Sequence, residues 1–496
     1  MTEIVLAVDL GAGSLRTAAV DLNGRIRALD AQVLGIAEPV PGWAEVDPEL
    51  WWEALSTGVG RVLTNLSRSA RPAAICITGM SRTQVLLDSQ GRSIRPALLW
   101  RDHRAVEDAV LLAGQIPLPN PATSINAFHP LARLAWIARM EPAHFERLKL
   151  VLEPKDFLNL RLTGVTATDS VTAARLDDLA LAPPDLPATL QRGLSLLEHP
   201  RVPPWARIGE ITAVHAPFDE LRGIPVFAGA MDTWAGAIGS GVSSAGRAYD
   251  VAGTSEAVGL VSPRNASVPG LVTLPWAENL FQIGGPTQAG GDAARWAFET
   301  FRVAGRFEHA MEHAGRLAPA ADLPVFLPYL AGERAPVWRP EIRGTFDGLS
   351  RHHDGTAFLF STLEGVAFAV KDILLAAANG AGTSVEEVRI SGGGARSDAW
   401  CQLKANVLGV PVARPSEVET GLIGCAITCA VGLGIHRSLH SAADAMSPME
   451  RTFEPDPSLV PLFASRFERY QDLKARALGP ASIPLRHDAR RDLGNP

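Results

Sequence analysis

The sequence is poor in cysteine: Cys76, Cys401, Cys425 and Cys429 are its four thiols in 496 residues, with no C-x-x-C spacing. A chain of this length buries enough apolar surface to need no disulfide staples, so reduced thiols and a cytoplasmic location are expected. Basic charge is not in excess. The 46 Lys and Arg against 53 Asp and Glu leave a net charge of -7 with no long Lys/Arg block, which argues against a nucleic-acid partner. No apolar run reaches the ~18 residues needed to cross a bilayer. The longest, "GLIGCAITCAVGLGI" from Gly421 to Ile435, is interrupted by glycines and reads as a buried helix packed closely against a neighbour, so no membrane partner is expected. The first residues carry Glu3 where a signal peptide carries positive charge, and Asp9 breaks their apolar stretch. His103, His129, His352 and His353 show no metal-ligand spacing with nearby Cys or acidic residues, which argues against a structural zinc site. Cys425 and Cys429, one helical turn apart, read as core.

What remains is a chain of ordinary globular composition, 47% hydrophobic and 20% charged, long enough for two cores. It opens as strand, glycine turn, strand, turn, strand: "IVLAVDL", "GAGS", "LRTAAVDL", the hairpin signal Asn23-Gly24, then "RIRALD". The same grammar returns in "GRAYDVAGTSEAVGLVS" from Gly246. A second pair follows in the same order, since "AAICITGMSR" near Ile75 and "EVRISGGGARSDAW" near Ile390 are each a short apolar strand entering a glycine turn. Apolar residues at spacings of three and four predict helices over 48–66, 131–140, 356–377 and 398–407. Pro-rich stretches at 181–187 and 199–206 read as irregular connections. The expectation is a mixed α/β fold of two similar domains, 1–243 and 244–496, with a glycine-rich turn in each facing one polyanion in an interdomain cleft.

Within that frame several segments point to phosphate chemistry, each with an ordinary structural alternative. Asp9 precedes Gly11, Gly13 and Ser14, so backbone N–H groups can approach phosphate oxygens while the carboxylate faces a hydrated Mg2+; a hairpin turn with a surface Asp is equally consistent. A Walker A loop is ruled out by the missing Gly-Lys-Ser/Thr, and a dinucleotide fingerprint by Arg16 opening a strand where a third glycine would open a helix. Gly253-Thr254-Ser255 offers a hydroxyl and backbone donors. The three glycines of "SGGGARSDAW" leave a surface for a base or ribose, or form a tight strand-to-helix turn. Asp232, among the small residues of "FAGAMDTWAGAIGSG", stands at the start of a predicted helix, either as the base that accepts a hydroxyl proton or as a helix cap. Arg82, Trp100, Arg101, Asp102, Arg104, Glu333 and Arg334 are further polar or aromatic candidates near glycine or proline turns.

Taken together, "DLGAGSLR", "PGWAEVDPELWW", "RPALLWRDHR", "EPKDFLNLRLTG", "GAMDTWAGAIG", "VAGTSE", "LPYLAGERAP" and "SGGGARSDAWCQLKANVLGVPV" resemble, in order and almost from end to end, the FGGY carbohydrate kinases, and within them xylulokinase-like members. The resemblance implies a duplicated actin-like, RNase H-like ATPase fold that binds ATP and Mg2+ and phosphorylates a small sugar or polyol, a ketopentose such as xylulose first among them. It gives the base role to Asp232 and the metal-linked role, through water, to Asp9. Nucleotide contacts fall on Gly11, Ala12, Gly13, Ser14, Thr254, Gly291, Gly393, Gly394 and Ser397. Substrate contacts fall on Ser81, Arg82, Trp100, Asp102, Asp232 and Glu333. The chain departs from the family at "GMSRT", where Ser81 and Arg82 stand in place of the usual Met-His pair, and at Ala12, where a Thr is usual. Glycerol, another polyol, ribulose or a sugar acid are the alternative acceptors, and a non-catalytic sugar- and ATP-binding protein the alternative class. A homodimer is the default assembly.

Overall fold

A computed structural model describes residues 2–67, 70–116, 118, 125–317 and 319–479. Two sheets organise it. The first contains β1 (Thr2–Leu10), β2 (Ser14–Asp21), β3 (Ile26–Val33), β4 (Ala70–Gly79), β5 (Arg207–Glu210) and β6 (Pro225–Phe227), in the order β5-β6-β4-β1-β2-β3. The second contains β7 (Arg247–Ala252), β8 (Glu256–Ser262), β9 (Val272–Pro275), β10 (Phe281–Pro286), β11 (Glu387–Ser391), β12 (Val412–Pro415) and β13 (Met449–Phe453), in the order β9-β10-β8-β7-β11-β12-β13. The two cores share a pattern, the second having one more meander strand, β9. Each begins with an antiparallel meander, continues with two parallel strands beside the first, and ends on an antiparallel outer strand.

The helices repeat as well. α1 (Pro48–Thr64) joins β3 to β4, and α5 (Gly355–Ala381) precedes β11 in the same role. Asp47 caps α1 with Pro48 in its first turn, and Trp51, Leu55, Val59 and Val62 form its buried stripe. α3 (Asp232–Gly239) follows β6, and α7 (Thr420–Gly432) follows β12. α2 (Pro154–Thr163) belongs to a long helical insertion between β4 and β5, α4 (Gly291–Thr300) follows β10, and α6 (Asp398–Leu408) follows β11. The Pro-rich stretch 199–206 departs from a simple surface connection: Arg201–Val202 pairs with Thr168–Asp169, and Trp205 packs against the central core.

Period-two alternation in β1 decides what the cleft receives. Ile4, Leu6 and Val8 pack with the α1 residues Trp51, Leu55 and Val59, while Val5 and Ala7 join the core built from α3 and α7. Asp9 continues the second register and so meets α7. As the sequence suggested, α7 is buried and lies very close to a neighbour: a Cβ on Gly239 would stand 1.8 Å from the Thr420 carbonyl oxygen, and one on Gly424 2.0 Å from that of Ala235. α3 and α7 therefore cross through glycine, joining the two halves at the floor of the cleft. No described helix is long and apolar enough to cross a membrane.

Candidate active site

Asp9 stands near the end of β1, paired in register with Arg16 and Thr78. Burial pushes its carboxyl up to about 7, and the charge of Asp232 adds to the rise. Arg16 opposes it but is itself paired with Glu419 at 3.2 Å. The loop that follows is self-closing, since the Gly11 N–H donates to the Ser14 carbonyl at 2.9 Å. Gly11 therefore offers its shape rather than its N–H. Ala12 and Gly13 keep backbone donors with no acceptor among the described residues, and Gly13 is exposed.

Asp232 is the first residue of α3. Its Oδ1 accepts from the Thr233 N–H at 2.7 Å and the Thr233 hydroxyl at 3.2 Å. A helix cap would reach the second or third N–H beyond it, and the structural N-cap is Met231. The cap reading thus fails, and Oδ2 has no protein partner among the described residues. Burial raises the Asp232 pKa above its ordinary 3.8, the Thr233 bonds and Arg175 opposing. Two partly exposed, desolvated carboxylates that repel each other suit a hard divalent cation such as Mg2+, whose charge would relieve both.

The wall beyond Asp232 is built by residues far apart in sequence. Glu153, directly before α2, accepts from the Arg82 and Thr83 N–H groups at 3.2 Å each and from Arg175 Nη2 at 2.9 Å. Ser81 and Arg82 are half-buried there, as is His129, whose Nδ1 accepts from the Leu131 N–H. Burial and the charges of Arg82, Arg175 and Arg133 push His129 down to about 3. Trp100 is 45% exposed and donates its backbone N–H to the Thr83 hydroxyl. Asp102 does not belong to this wall. It is fully buried, and its two oxygens are consumed by Arg104 Nε and Nη2 at 2.8 and 2.7 Å and by the Ala44 N–H at 2.7 Å, so the expected substrate contact is replaced by a structural clamp.

The opposite wall belongs to the second half. Thr254 is exposed at the turn between β7 and β8, while Gly253 N–H closes on the Ser255 carbonyl as Gly11 does on Ser14. Below it, buried Lys404 on α6 donates to Asp250 at 2.5 Å and Glu256 at 2.7 Å, tying the turn to the helix that follows β11. Gly291, the first residue of α4, gives its N–H to the Gly253 carbonyl at 2.9 Å, so it braces the turn and keeps no donor free. In the glycine triplet, a Cβ on Gly394 would collide with Ala252 and Trp400, whereas one on Gly393 would meet nothing within 4 Å. Gly393 thus opens outward and Gly394 serves close packing. The Ser397 hydroxyl caps α6 and donates to Glu312 at 2.6 Å, which leaves it a positioning residue. Glu333 corrects another expectation. It is buried, its Oε1 accepts from the Gln288 and Arg334 N–H groups, and burial pushes it up to about 7. The neighbouring Arg334 is the residue that reaches the turn, with Nη2 on the Ser255 hydroxyl at 3.0 Å.

Sequence reasoning missed Glu153, Arg175, Arg133 and His129 as a wall. Glu153 left a signal, a carboxylate between an apolar strand and the Pro154 that opens a helix. Arg175 left none. The fold also brings Asp322 beside His352 and His353, which sequence spacing did not disclose, but His353 Nδ1 accepts from the Ser350 N–H, which puts the ring proton on Nε2.

Two halves of similar topology, with a glycine turn in each and the desolvated pair Asp9 and Asp232, suit the phosphotransferases of the actin-like class. Comparison with known proteins agrees and is more particular. The N-terminal domain model of the FGGY family of carbohydrate kinases matches residues 4–239 and the C-terminal domain model residues 248–433. The chain belongs to the FGGY family of carbohydrate kinases. It is 29% identical over 488 residues to a xylulose kinase of Escherichia coli strain K12, covering 95% of this chain and 99% of that one. It is 28% identical over 500 residues to an L-xylulose/3-keto-L-gulonate kinase of the same organism, covering 97% and 98%. The structure of xylulose kinase from Rhodospirillum rubrum superposes with a TM-score of 0.85 at 28% identity, covering 95% and 98%.

Proposed function

We propose that this carbohydrate kinase transfers the γ-phosphoryl group of ATP to a hydroxyl of a sugar the size of a ketopentose, xylulose being the first candidate because the relatives above carry that name. The observation that carries the reading is the Asp9–Asp232 pair between the two glycine turns. Asp232 Oδ2 takes the proton of the attacking hydroxyl. The oxygen then forms its bond to phosphorus as the bond to the β-phosphate oxygen breaks, and ADP leaves with the electron pair. Asp9 is the residue that would hold Mg2+, through water, and the ion would supply charge neutralisation on the phosphates. Ala12, Gly13 and Thr254 donate to phosphate oxygens, the open face at Gly393 receives the nucleoside, and Ser81, Arg82 and Trp100 line the acceptor side. Residues 1–243 then form the acceptor domain and 244–496 the nucleotide domain. A second reading, a sugar-acid acceptor, is favoured by Arg82.

An ADP-release assay on the full chain with ATP, Mg2+ and ketoses, aldoses, polyols and sugar acids tests the reading. Turnover with a ketopentose, abolished in Asp232→Ala while nucleotide binding persists, is the expected result. Full activity of that variant would remove the base assignment.

A further inference from the structure

Arg82 adopts a backbone that long side chains rarely take, with φ +57°. Its surroundings over-determine that turn. Glu153 accepts the N–H groups of Arg82 and Thr83, and Arg133 Nη1 donates to the Arg82 carbonyl at 2.8 Å. Arg133 is 1% exposed, and its other bonds all go to Gln84 and to main-chain carbonyls, with no carboxylate among them. Two charged side chains are thus committed to holding one left-handed residue, the kind of local cost found where position matters to function.

The guanidinium so placed has no hydrogen bond and no ion pair among the described residues. Glu153 favours its charge from nearby but makes no bond to it, because the Glu153 oxygens are occupied by the two backbone N–H groups and by Arg175. Arg175 bonds Glu153 and the Thr172 carbonyl, and Arg334 bonds Ser255 and the Thr287 carbonyl. Burial, with the charges of both, one from each side of the cleft, holds the Arg82 pKa down at about 10 against the opposing charge of Glu153, and the group is still charged at neutral pH. His129 is kept neutral by burial first and then by the charges of Arg82, Arg175 and Arg133. A desolvated cation without a counter-ion is costly unless a ligand brings one.

We propose that the acceptor carries a carboxylate, as a sugar acid or keto sugar acid does, gripped by the Arg82 guanidinium in a two-pronged ion pair while a hydroxyl of the same molecule faces Asp232. The proposal rests on the kinase reading and narrows its acceptor. A planar carboxylate matches the guanidinium fork. A carboxylate brings the single charge that one guanidinium fork accepts, whereas a phosphomonoester, at roughly -1.5 to -2, would bring more negative charge towards Asp9 and Asp232. A neutral ketose offers only hydroxyls to the cation and leaves it uncompensated.

The test is the ADP-release assay on the full chain with xylonate, gluconate and 2-ketogluconate beside xylulose, ribulose and xylitol, with xylulose 5-phosphate as a further arm. The expected result is a higher kcat/KM for at least one acid than for any neutral acceptor. In Arg82→Gln the acid-to-neutral ratio falls by about 100-fold, and Arg82→Lys restores part of it, with melting curves verifying that both variants fold. Calorimetric titration of gluconate and xylonate gives a readout independent of turnover: saturable binding by the wild type, lost in Arg82→Gln. Turnover of neutral sugars with neither turnover nor binding of the acids overturns the proposal and leaves the kinase reading intact. Preference for the sugar phosphate overturns it, as does an Arg82→Gln variant that raises KM for ATP without moving the ratio. If no acceptor turns over, the kinase reading fails, and calorimetry decides the proposal alone: acid binding lost in Arg82→Gln supports it, no acid binding overturns it.

Discussion

Asp232 spends one carboxylate oxygen on Thr233 and keeps the other for the cleft. Replacing it by Asn preserves the Thr233 contacts and the volume while removing the base. We expect kcat to fall by about 10²- to 10⁴-fold with nucleotide affinity little changed, measured by initial rates and by calorimetry. The wild-type rate should fall on the acid side at a pH above the ordinary Asp value of 3.8, because the raised pKa keeps Asp232 protonated there. His129 makes a prediction about stability. Its folded pKa, about 3, lies below the unfolded value near 6.5, so the group is neutral in both states above 6.5 and costs nothing there. As pH falls below 6.5 the unfolded chain takes a proton that the folded site refuses, and stability is lost. Between pH 6.5 and 5 the wild type should lose about 2 kcal/mol more than His129→Gln, read from urea unfolding at each pH.

The elements that carry the site are held by contacts that substitutions can separate. Glycine does two different things here. At Gly239 a Cβ would press into the Thr420 carbonyl, so Gly239→Ala should force α3 and α7 apart and cost about 1–3 kcal/mol in thermal unfolding. At Gly393 it would meet nothing, so Gly393→Ala should melt close to the wild type yet raise KM for ATP. The buried Lys404–Asp250–Glu256 group fixes the Thr254 turn to α6. Lys404→Met would strand two buried carboxylates, and about 3–5 kcal/mol of stability should be lost in denaturant melts.

The whole molecule has its two sheets facing a cleft whose floor is the α3–α7 contact. Arg334 on the far side acts electrostatically on Arg82 on the near side, so the walls are within reach of each other. Binding of both substrates should draw them together and exclude water from the transferring phosphate. Small-angle scattering should give a smaller radius of gyration with acceptor and a non-hydrolysable ATP analogue than without; an unchanged radius in the ternary complex would count against closure.

Much of this was written locally in the chain. The meander of 1–33 and its return after Gly246, the helices over 48–66 and 356–377, and Asp9 and Asp232 beside glycine turns are legible because alternation, helical spacing and turn chemistry act over a few residues. Asp102 and Glu333 misled for the same reason. Local sequence does not tell that Ala44, 58 positions away, joins Arg104 in consuming one, or that the turn at Gln288 buries the other. Glu153, Arg133 and Arg175 meet Arg82 only because the helical insertion folds back over the end of β4, a contact between residues 51 to 93 positions apart. The sequence by itself determined the repeated strands, the glycine turns and the acidic pair, since these follow from local backbone preference and burial. The tertiary structure alone decided which charges remain unpaired in the cleft, because pairing depends on through-space distance and desolvation that no local spacing encodes.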